Sequence, residues 1–411
     1  MSFNLNNKKT FCILPWLQIN IQTNGNFTPC CMIDFFQDAP NINQYENLNS
    51  ALNDPLFQSM REKMLKDETL ELCQKCYDME KCSNRSLRIV SNEQFNKNIQ
   101  SELDKTLIDA LIKEPELKSI DLRFSNLCNF KCRTCDAYSS TSWYEDTKKL
   151  KTDFFINDVI TPFKDEPKSF EHLEELIPNL LKIYILGGEP FINPNFHKFV
   201  DLLKLKNRSD MHLSVSTNFS HLEFKERDIL KELSFFQNLE LYISIDDIEK
   251  RAEIIRSGTK WESTLNNLNF LKTYQNIKFF ITPVVSILNV FSLPTTIEYL
   301  INHGIITNDK QLSLSFVNAP EYYDIKNLNE DERKNIHEIY SEFFNKLGSE
   351  HLLIQNELKS VLNYFDNNPF KVEFNLNRKS FAKASVLVDK LRNERLLINF
   401  PELIGFFNLK S

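Results

Sequence analysis

Residues 117–136 read LKSIDLRFSNLCNFKCRTCD. The first eight residues, LKSIDLRF, predict a β-strand. Cys128, Cys132 and Cys135 follow it directly, with the spacing C-x3-C-x2-C. In parallel β/α folds the active site forms at the carboxyl ends of the strands. The segment therefore predicts a cysteine site at the mouth of a parallel sheet.

Strand and helix patterns alternate along the chain from this segment onward. Six β-α repeats of this kind predict a parallel sheet that curves toward a partial barrel. The candidate strands are 117–124, 181–187, 212–218, 239–246, 277–287 and 312–317. The candidate helices are 195–205, 224–236, 261–274 and 293–304, and a longer first crossover with an extra helix covers 141–180.

The expected fold class is α/β: a partial (β/α)6 TIM-like barrel with a small N-terminal cysteine-rich module and a helical C-terminal extension. The module is expected to contain a hairpin around Asn24-Gly25. The expected boundaries are 1–90 for the module, 91–116 for a linker helix, 117–323 for the barrel and 324–411 for the extension.

Composition and charge limit the class of protein. Of the 411 residues, 42% are apolar and 26% are charged, which is the balance of a globular protein. The net charge of −7 does not favour a nucleic-acid surface, which needs concentrated Lys and Arg. The chain has neither a run of about eighteen apolar residues nor an apolar signal core at its start. We therefore expect a cytoplasmic protein that binds neither membrane nor nucleic acid.

The nine cysteines are confined to the first 135 residues. Cysteines that serve only packing would be spread along the chain, and a reducing compartment disfavours disulfides, so this clustering indicates metal or redox chemistry. Three thiolates from one short loop can hold three irons of a [4Fe–4S] cluster and leave the fourth without a protein ligand. A zinc site would need a fourth ligand, and no cysteine or nearby histidine follows Cys135.

The loop resembles the cluster motif of the radical S-adenosylmethionine (SAM) superfamily, which also follows the first strand. The resemblance implies that the open iron binds the methionyl group of SAM. It further implies that one electron, from a donor such as flavodoxin or ferredoxin, splits SAM into methionine and a 5′-deoxyadenosyl radical, which takes hydrogen from a substrate. The residue before the last cysteine is usually aromatic in the family, and here it is Thr134.

Segments after the next three strands resemble the SAM-binding parts of the same family. The resemblance implies that Gly187-Gly188-Glu189-Pro190 contacts the methionyl ammonium and that Ser216-Thr217-Asn218 binds the ribose. Asp246 matches the polar end of the next strand, and Arg256 matches an arginine that pairs with the SAM carboxylate. Plainer roles remain open, because turns, strand-end caps and solvated helix residues use the same residue types.

The remaining cysteines, all N-terminal to the loop, form a second pattern that resembles the auxiliary-cluster modules called SPASM and twitch. In many relatives the module follows the barrel, whereas here it precedes it. Ser86 stands where the longer motif has its last cysteine, so one auxiliary [4Fe–4S] cluster is expected rather than two. A four-cysteine zinc site fits the same spacing. The implied ligands are Cys12, Cys30, Cys73 and Cys76, with Cys31 and Cys82 as alternates.

The resemblance leaves the substrate open. The first hypothesis is a peptide or protein, as in the modification of ribosomally made peptides. The second is radical oxidation of a carbohydrate or another small molecule. A third, from a different class, is a non-catalytic zinc-stabilised binding protein. No catalytic residue is assigned on the substrate side, and Arg133 and Asp136 are no better candidates than surface residues.

Overall fold

The computed structural model describes residues 9–34, 38–83, 86–102, 114–150, 158–163, 166–317 and 319–408. The side chains of residues 82–83, 95–102, 166–167 and 349 are not described. Within the described ranges, no helix combines the length and the apolar character needed to cross a lipid bilayer.

One seven-stranded sheet carries the fold, and its strand order is β2-β1-β3-β4-β5-β8-β9. Neighbours from β1 to β9 are parallel, whereas β1 and β2 form an antiparallel hairpin. Two short pairs, β6–β7 and β10–β11, lie outside it. The strands are β1 Gln18–Ile21, β2 Phe27–Thr28, β3 Ser119–Leu122, β4 Lys182–Ile185, β5 His212–Thr217, β6 Glu223–Phe224, β7 Arg227–Asp228, β8 Asn238–Ile243, β9 Lys278–Ile281, β10 Val284–Val285 and β11 Ser315–Phe316.

Helices lie between successive parallel strands, as parallel connections require. They are α1 Leu14–Leu17, α2 Pro55–Leu65, α3 Gln74–Ser83, α4 Leu87–Glu102, α5 Tyr144–Lys149, α6 Glu166–Leu176, α7 Pro194–Leu205, α8 Ile229–Leu233, α9 Glu249–Ile255, α10 Trp261–Leu271, α11 Leu293–Asn302, α12 Glu330–Lys346, α13 Leu352–Asn367, α14 Asn375–Arg392, α15 Leu396–Asn399 and α16 Ile404–Phe407. The parallel sheet and the helical C-terminal region confirm the predicted fold class.

The predicted helix over 224–236 is wrong at its start. Residues 223–228 form the β6–β7 hairpin, and the helix covers only Ile229–Leu233. Lys225 and Glu226 at the hairpin turn have φ values of +47° and +66°, which a right-handed helix cannot include. The apolar spacing that suggested a longer helix therefore spans two elements.

The main sheet has one apolar face and one polar face. Ile120, Leu122 and Ile183 are fully buried in the core that the helices cover. Alternate residues point to opposite faces of a strand, so Asp121 of β3 and Tyr184 of β4, which are register partners, lie on the other face. We call this side the polar face.

The N-terminal hairpin extends the same sheet. Strand β1 pairs in parallel with β3, and Gln18 lies opposite Ser119 and Ile21 opposite Leu122. Gly25 sits in the hairpin turn with a φ of +87°, as the Asn-Gly sequence predicts. The cysteine module is therefore hydrogen-bonded to the first barrel strand, a pairing that the sequence analysis did not predict.

The C-terminal extension connects the two edges of the sheet. At the β9 edge, Ile281 forms a bridge with Leu312, and β10 pairs in parallel with β11. Helix α13 contacts residues 309–311 beside this edge, and it also contacts α3 of the N-terminal module. The extension therefore spans from the last barrel strand back to the cysteine module.

Candidate active site

The cysteine loop, Cys128–Cys135, is anchored to the segment that ends helix α9. The Lys131 N–H donates to the Ser257 carbonyl, and the Arg133 N–H donates to the Ile255 carbonyl, both at 2.8 Å. The chain itself therefore fixes the backbone of the loop, which presents the three predicted ligands from one short segment.

The three thiols of the loop differ in their surroundings. Cys132 is buried, whereas Cys128 and Cys135 are half-buried. A hydrogen bond with Cys135 lowers the pKa of Cys132, and the Arg256 guanidinium, 3.7 Å from the Cys132 sulfur, acts in the same direction. Because metals bind the thiolate, Arg256 favours the form of Cys132 that a metal requires.

Gly187 and Gly188 bring the end of β4 against the cysteine loop. Both have positive φ, at +81° and +55°. A Cβ on Gly188 would lie 2.3 Å from the Leu127 carbonyl oxygen, and a Cβ on Gly187 would lie 2.5 Å from Cγ of Arg123. The Glu189 N–H donates to that Leu127 carbonyl at 2.8 Å. Only glycine permits this approach, which leaves bare backbone beside the loop.

The carboxylate of Glu189 joins the ends of β4 and β5. It accepts hydrogen bonds from the Thr217 hydroxyl at 2.6 Å, from the Asn218 N–H at 2.6 Å and from the Phe191 N–H at 3.0 Å. Burial raises the pKa of Glu189 to about 7, although the three donors oppose this shift. Pro190–Ile192 form the short turn that Glu189 caps.

The end of β5 also reaches the cysteine loop. The Asn218 side-chain amide donates to Oδ1 of Asn129 at 2.9 Å. Ser216 lies on the polar face, where its side chain is hydrogen-bonded to Tyr184. The hydroxyl and amide groups predicted to meet a ribose therefore lie between the loop and the polar face.

Asp246 and Arg256 form a buried ion pair next to the loop. Their side chains approach to 2.8 Å, and Asp246 also accepts the Val284 N–H at 2.8 Å. Arg256 is the residue that contacts Cys132. The structure thus brings together the three loop cysteines and the residues predicted to bind SAM in one connected network at the carboxyl ends of the strands.

The four predicted auxiliary ligands line one pocket. Cys12, Cys30, Cys73 and Cys76 share its walls with apolar side chains and with Arg88. Burial raises the pKa of all four thiols. Each thiol must lose its proton when a metal binds, so it is the convergence of four thiols on one pocket that fits a metal cofactor.

The pocket does not have the geometry of a single-ion site. No three His, Cys, Asp or Glu side chains in the described part of the chain converge to hold one metal ion. In a [4Fe–4S] cluster each thiolate binds a different iron, so its ligands surround a cavity. Ser86, at the position of the missing cysteine, is hydrogen-bonded to Cys76. The side chain of Cys82 lies outside the described residues.

Cys31 does not line the pocket and lies instead near the polar face. It is exposed, and the charged groups that most affect it are Asp121 and Arg123 of the first barrel strand. Arg123 donates to Oδ1 of Asn20 at 2.8 Å, and burial raises the pKa of Asp121 to about 6. The sequence analysis did not select these polar residues, although their alternation with Ile120 and Leu122 places them opposite the core.

The C-terminal extension covers the outer side of the cysteine loop. The Arg133 guanidinium is fully buried and lies 2.5 Å from Asp389 and 2.6 Å from Glu394. The sequence analysis ranked Arg133 no higher than a surface residue as a catalytic candidate, and it did not predict this buried ion pair. The acids that enclose Arg133 lie 256 and 261 positions later, where no local pattern could reveal them.

Comparison with known families agrees with this geometry. The model of the radical SAM superfamily matches residues 122–300. Residues 122–300 are therefore a radical SAM domain. A second model, of the iron-sulfur cluster-binding SPASM domain, matches residues 12–77, a range that begins at Cys12 and includes Cys76.

Individual relatives match this chain over part of their length. The radical SAM cyclopropyl synthase TigE of Paramaledivibacter caminithermalis is 24% identical over 213 residues, which are 47% of this chain and 43% of that protein. Native anSMEcpe with bound AdoMet is 18% identical with a TM-score of 0.39, covering 56% of this chain and 62% of that one. Streptococcus suis SuiB bound to S-adenosylmethionine is 14% identical with a TM-score of 0.32, covering 56% and 44%. The chain therefore spans less than two thirds of each.

The family matches support SAM and iron–sulfur clusters as the cofactors of this chain. The residues present fit both groups. The loop offers three thiols beside Arg256 and bare backbone at Gly188 that a Cβ would obstruct. The auxiliary pocket offers four more thiols in apolar surroundings.

Glu189→Gln is expected to flatten the pH dependence of stability in the SAM-free protein. Burial raises the Glu189 pKa from the ordinary 4.5 to about 7, so the folded state binds this proton more tightly than the unfolded state. The stabilisation from this proton is complete below about pH 4.5 and is lost as the pH rises through about 7. The free energy of unfolding falls by up to about 3 kcal/mol over this range. Thermal melts from about pH 5 to about pH 8 should show a steeper fall of Tm in the wild type. Equal slopes in both proteins would contradict the assignment.

Proposed function

We propose that this radical SAM enzyme cleaves SAM reductively at a [4Fe–4S] cluster held by Cys128, Cys132 and Cys135. The resulting 5′-deoxyadenosyl radical takes hydrogen from a substrate, which we propose is a peptide. The observation that carries the proposal is the contact network that joins the cysteine loop to Gly188, Glu189 and Arg256.

The chain supplies binding and orientation for the cofactor. Arg256 offers a buried cation for the SAM carboxylate, and Asp246 keeps that guanidinium in place. Glu189 holds Thr217 and Asn218 in position, while Ser216 and Asn218 offer hydroxyl and amide groups for the ribose. These roles follow from the resemblance, and the hydrogen bonds support them because they leave the side chains ordered before SAM arrives.

We further propose one auxiliary [4Fe–4S] cluster on Cys12, Cys30, Cys73 and Cys76. The shared pocket supports this ligand set, and the position of Cys31 outside that pocket makes it a weaker ligand candidate. When bound, such a cluster can accept an electron from a substrate radical or stabilise the module. The polar face carries Asp121 and Arg123 near Cys31 and offers a charged surface for the substrate.

The peptide is proposed from the family resemblance of enzymes with auxiliary-cluster modules. One relative is named a radical SAM cyclopropyl synthase, and closing a cyclopropane ring forms one carbon–carbon bond and removes two hydrogens. The direct test has two parts. Oxygen-free enzyme with SAM and dithionite should release 5′-deoxyadenosine. Co-expression with short open reading frames adjacent to its gene should then yield a peptide whose mass is lower by two hydrogens.

Other outcomes of the same experiment would change the proposal. Release of 5′-deoxyadenosine that depends on a carbohydrate, with peptide masses unchanged, would establish the small-molecule alternative. Purified protein that contains zinc in place of iron and never cleaves SAM would establish the non-catalytic one.

Cys76→Ala is expected to remove the auxiliary cluster and spare the cysteine loop. Iron should fall from about eight to about four per chain. Dithionite-driven release of 5′-deoxyadenosine should continue, because the β1–β3 hydrogen bonds still hold the module on the sheet. Iron analysis and product chromatography check both points. Cys31→Ala is the matched control and should keep both clusters, whereas loss of iron from this control would reassign the ligands.

A further inference from the structure

Helix α14 presents a continuous stripe of basic and apolar side chains to solvent. Spacings of three, four and seven residues place its exposed positions on one face, about 100° wide. Val386 and Leu387 are 56% and 41% exposed. The exposed residues, which we call the lysine stripe, are Leu376, Lys379, Lys383, Val386, Leu387 and Lys390.

The charge of the lysine stripe is opposite to that of the whole protein. The chain carries 56 acidic and 49 basic residues, yet the stripe has three lysines and no acid. Among the described residues none of these lysines lies within ion-pair distance of a carboxylate. On α12, by contrast, exposed Lys334 lies among Glu338 and Glu342. An ordinary solvated helix mixes both signs, so the stripe favours an acidic partner.

The neighbouring helix extends the basic surface. Helix α5 contacts α14 and exposes Lys148 and Lys149. Glu145 also lies on α5 and pairs with Lys148 at 3.2 Å. The combined surface remains positive, with apolar Val386 and Leu387 exposed beside Lys383 and Lys390.

The opposite face of α14 lies against the cysteine loop. Val388 is buried with Ala137 and Trp143, and Cys135 packs against this group. Asp389 pairs with Arg133, which stands between two of the predicted cluster ligands. The stripe is therefore separated from the loop by one helix diameter, about 10 Å. An electron delivered at the stripe has a short path to the cysteine loop.

We propose that the lysine stripe is the docking site for an acidic flavodoxin, which reduces the enzyme. The inference rests on the proposed function, since SAM cleavage needs one external electron per turnover. The reduced flavodoxin loses one electron and the loop cluster gains it, and no bond forms or breaks in this step. Val386 and Leu387 flank the row of lysines and suit the apolar edge of a flavin, and the lysines suit acidic side chains near that flavin.

Charge reversal tests the docking site. The probe is a purified acidic flavodoxin, and the variant is Lys379→Glu, Lys383→Glu, Lys390→Glu. Flavodoxin binding to the unreduced enzyme at low ionic strength should weaken at least about 10-fold, because like charges now face each other. Binding by the wild type should also weaken with added salt, whereas the variant should lose this dependence.

A second measurement, of SAM cleavage with two different reductants, separates docking from catalysis. Release of 5′-deoxyadenosine driven by reduced flavodoxin should fall about 10-fold or more in the variant, and dithionite-driven release should stay at the wild-type rate. The control reverses three exposed lysines on other elements, Lys231, Lys272 and Lys310, and should keep wild-type binding. Unchanged flavodoxin affinity in the stripe variant would overturn the docking proposal. Wild-type enzyme that binds flavodoxin through the stripe but never cleaves SAM with dithionite would overturn the proposed function alone.

Discussion

Replacing Cys132 with alanine is expected to abolish SAM cleavage and to lower the iron content from about eight to about four per chain. Cys132 is the buried thiol of the loop and the one that Arg256 contacts at 3.7 Å. Mutating a residue that only hydrogen-bonds to a metal ligand lowers metal affinity or activity about 10- to 100-fold. Loss of the ligand itself should therefore lower 5′-deoxyadenosine release by more than about 100-fold. Iron analysis and product chromatography on oxygen-free protein measure both effects.

Two comparisons make this result specific. The auxiliary cluster should survive in Cys132→Ala, since its pocket is lined by four other cysteines. Cys31→Ala removes an exposed thiol of the same chain and should leave both iron content and SAM cleavage at wild-type levels. If Cys132→Ala kept eight irons or cleaved SAM at the normal rate, the loop would not carry the reactive cluster.

Arg133→Met is expected to destabilise the protein by about 3 kcal/mol and to reduce cluster occupancy. The guanidinium is fully buried, whereas Asp389 and Glu394 keep 22% and 18% of their side-chain surface exposed. Removing the guanidinium leaves two adjacent carboxylates facing an apolar side chain. Because both carboxylates are partly exposed, the loss of stability should lie at the lower end of the range for breaking a buried ion pair. The Tm should fall and less iron should be retained after desalting.

A surface arginine provides the matched control for Arg133. Arg227 also pairs with two acids, Asp201 and Glu232, but it is partly exposed, so Arg227→Met should cost about 1 kcal/mol or less. Combining Arg133→Met with Asp389→Asn and Glu394→Gln should recover much of the lost stability, because no unpaired charge remains. An equal fall of Tm in Arg133→Met and Arg227→Met would contradict the role of the buried cluster of charges.

The elements that could be predicted from the sequence are those with local signals. Each of the six candidate segments contains strand residues, because each has its own apolar run and turn residues. The segment 277–287 divides into β9 and β10, and only Ser315–Phe316 of 312–317 forms a strand. The clustering of Cys12, Cys30, Cys73 and Cys76 was also predictable, and these four residues share one pocket. The spacing of cysteines along the chain is enough to predict cysteine sites of this kind, since most of the candidate ligands lie in short segments.

What could not be predicted depends on residues far apart in the chain. The pairing of Gln18 with Ser119 and the enclosure of Arg133 by Asp389 join segments separated by about 100 residues or more. Strand pairing over such distances has no local pattern, because any exposed edge can accept another parallel strand. The hydrogen bonds from Thr217 and Asn218 to Glu189 were missed for the same reason, since they come from the end of another strand.

The pairing of β1 with β3 fixes two segments on one sheet. One carries the predicted ligands of the cysteine loop, and the other belongs to the N-terminal cysteine module. Swinging one toward the other would require breaking a ladder that runs from Gln18–Ser119 to Ile21–Leu122. The gap between them is consequently set by the covalent and hydrogen-bonded framework and cannot adjust to whatever molecule enters. If these segments hold the two proposed clusters, the distance between the clusters stays the same before and after a substrate binds.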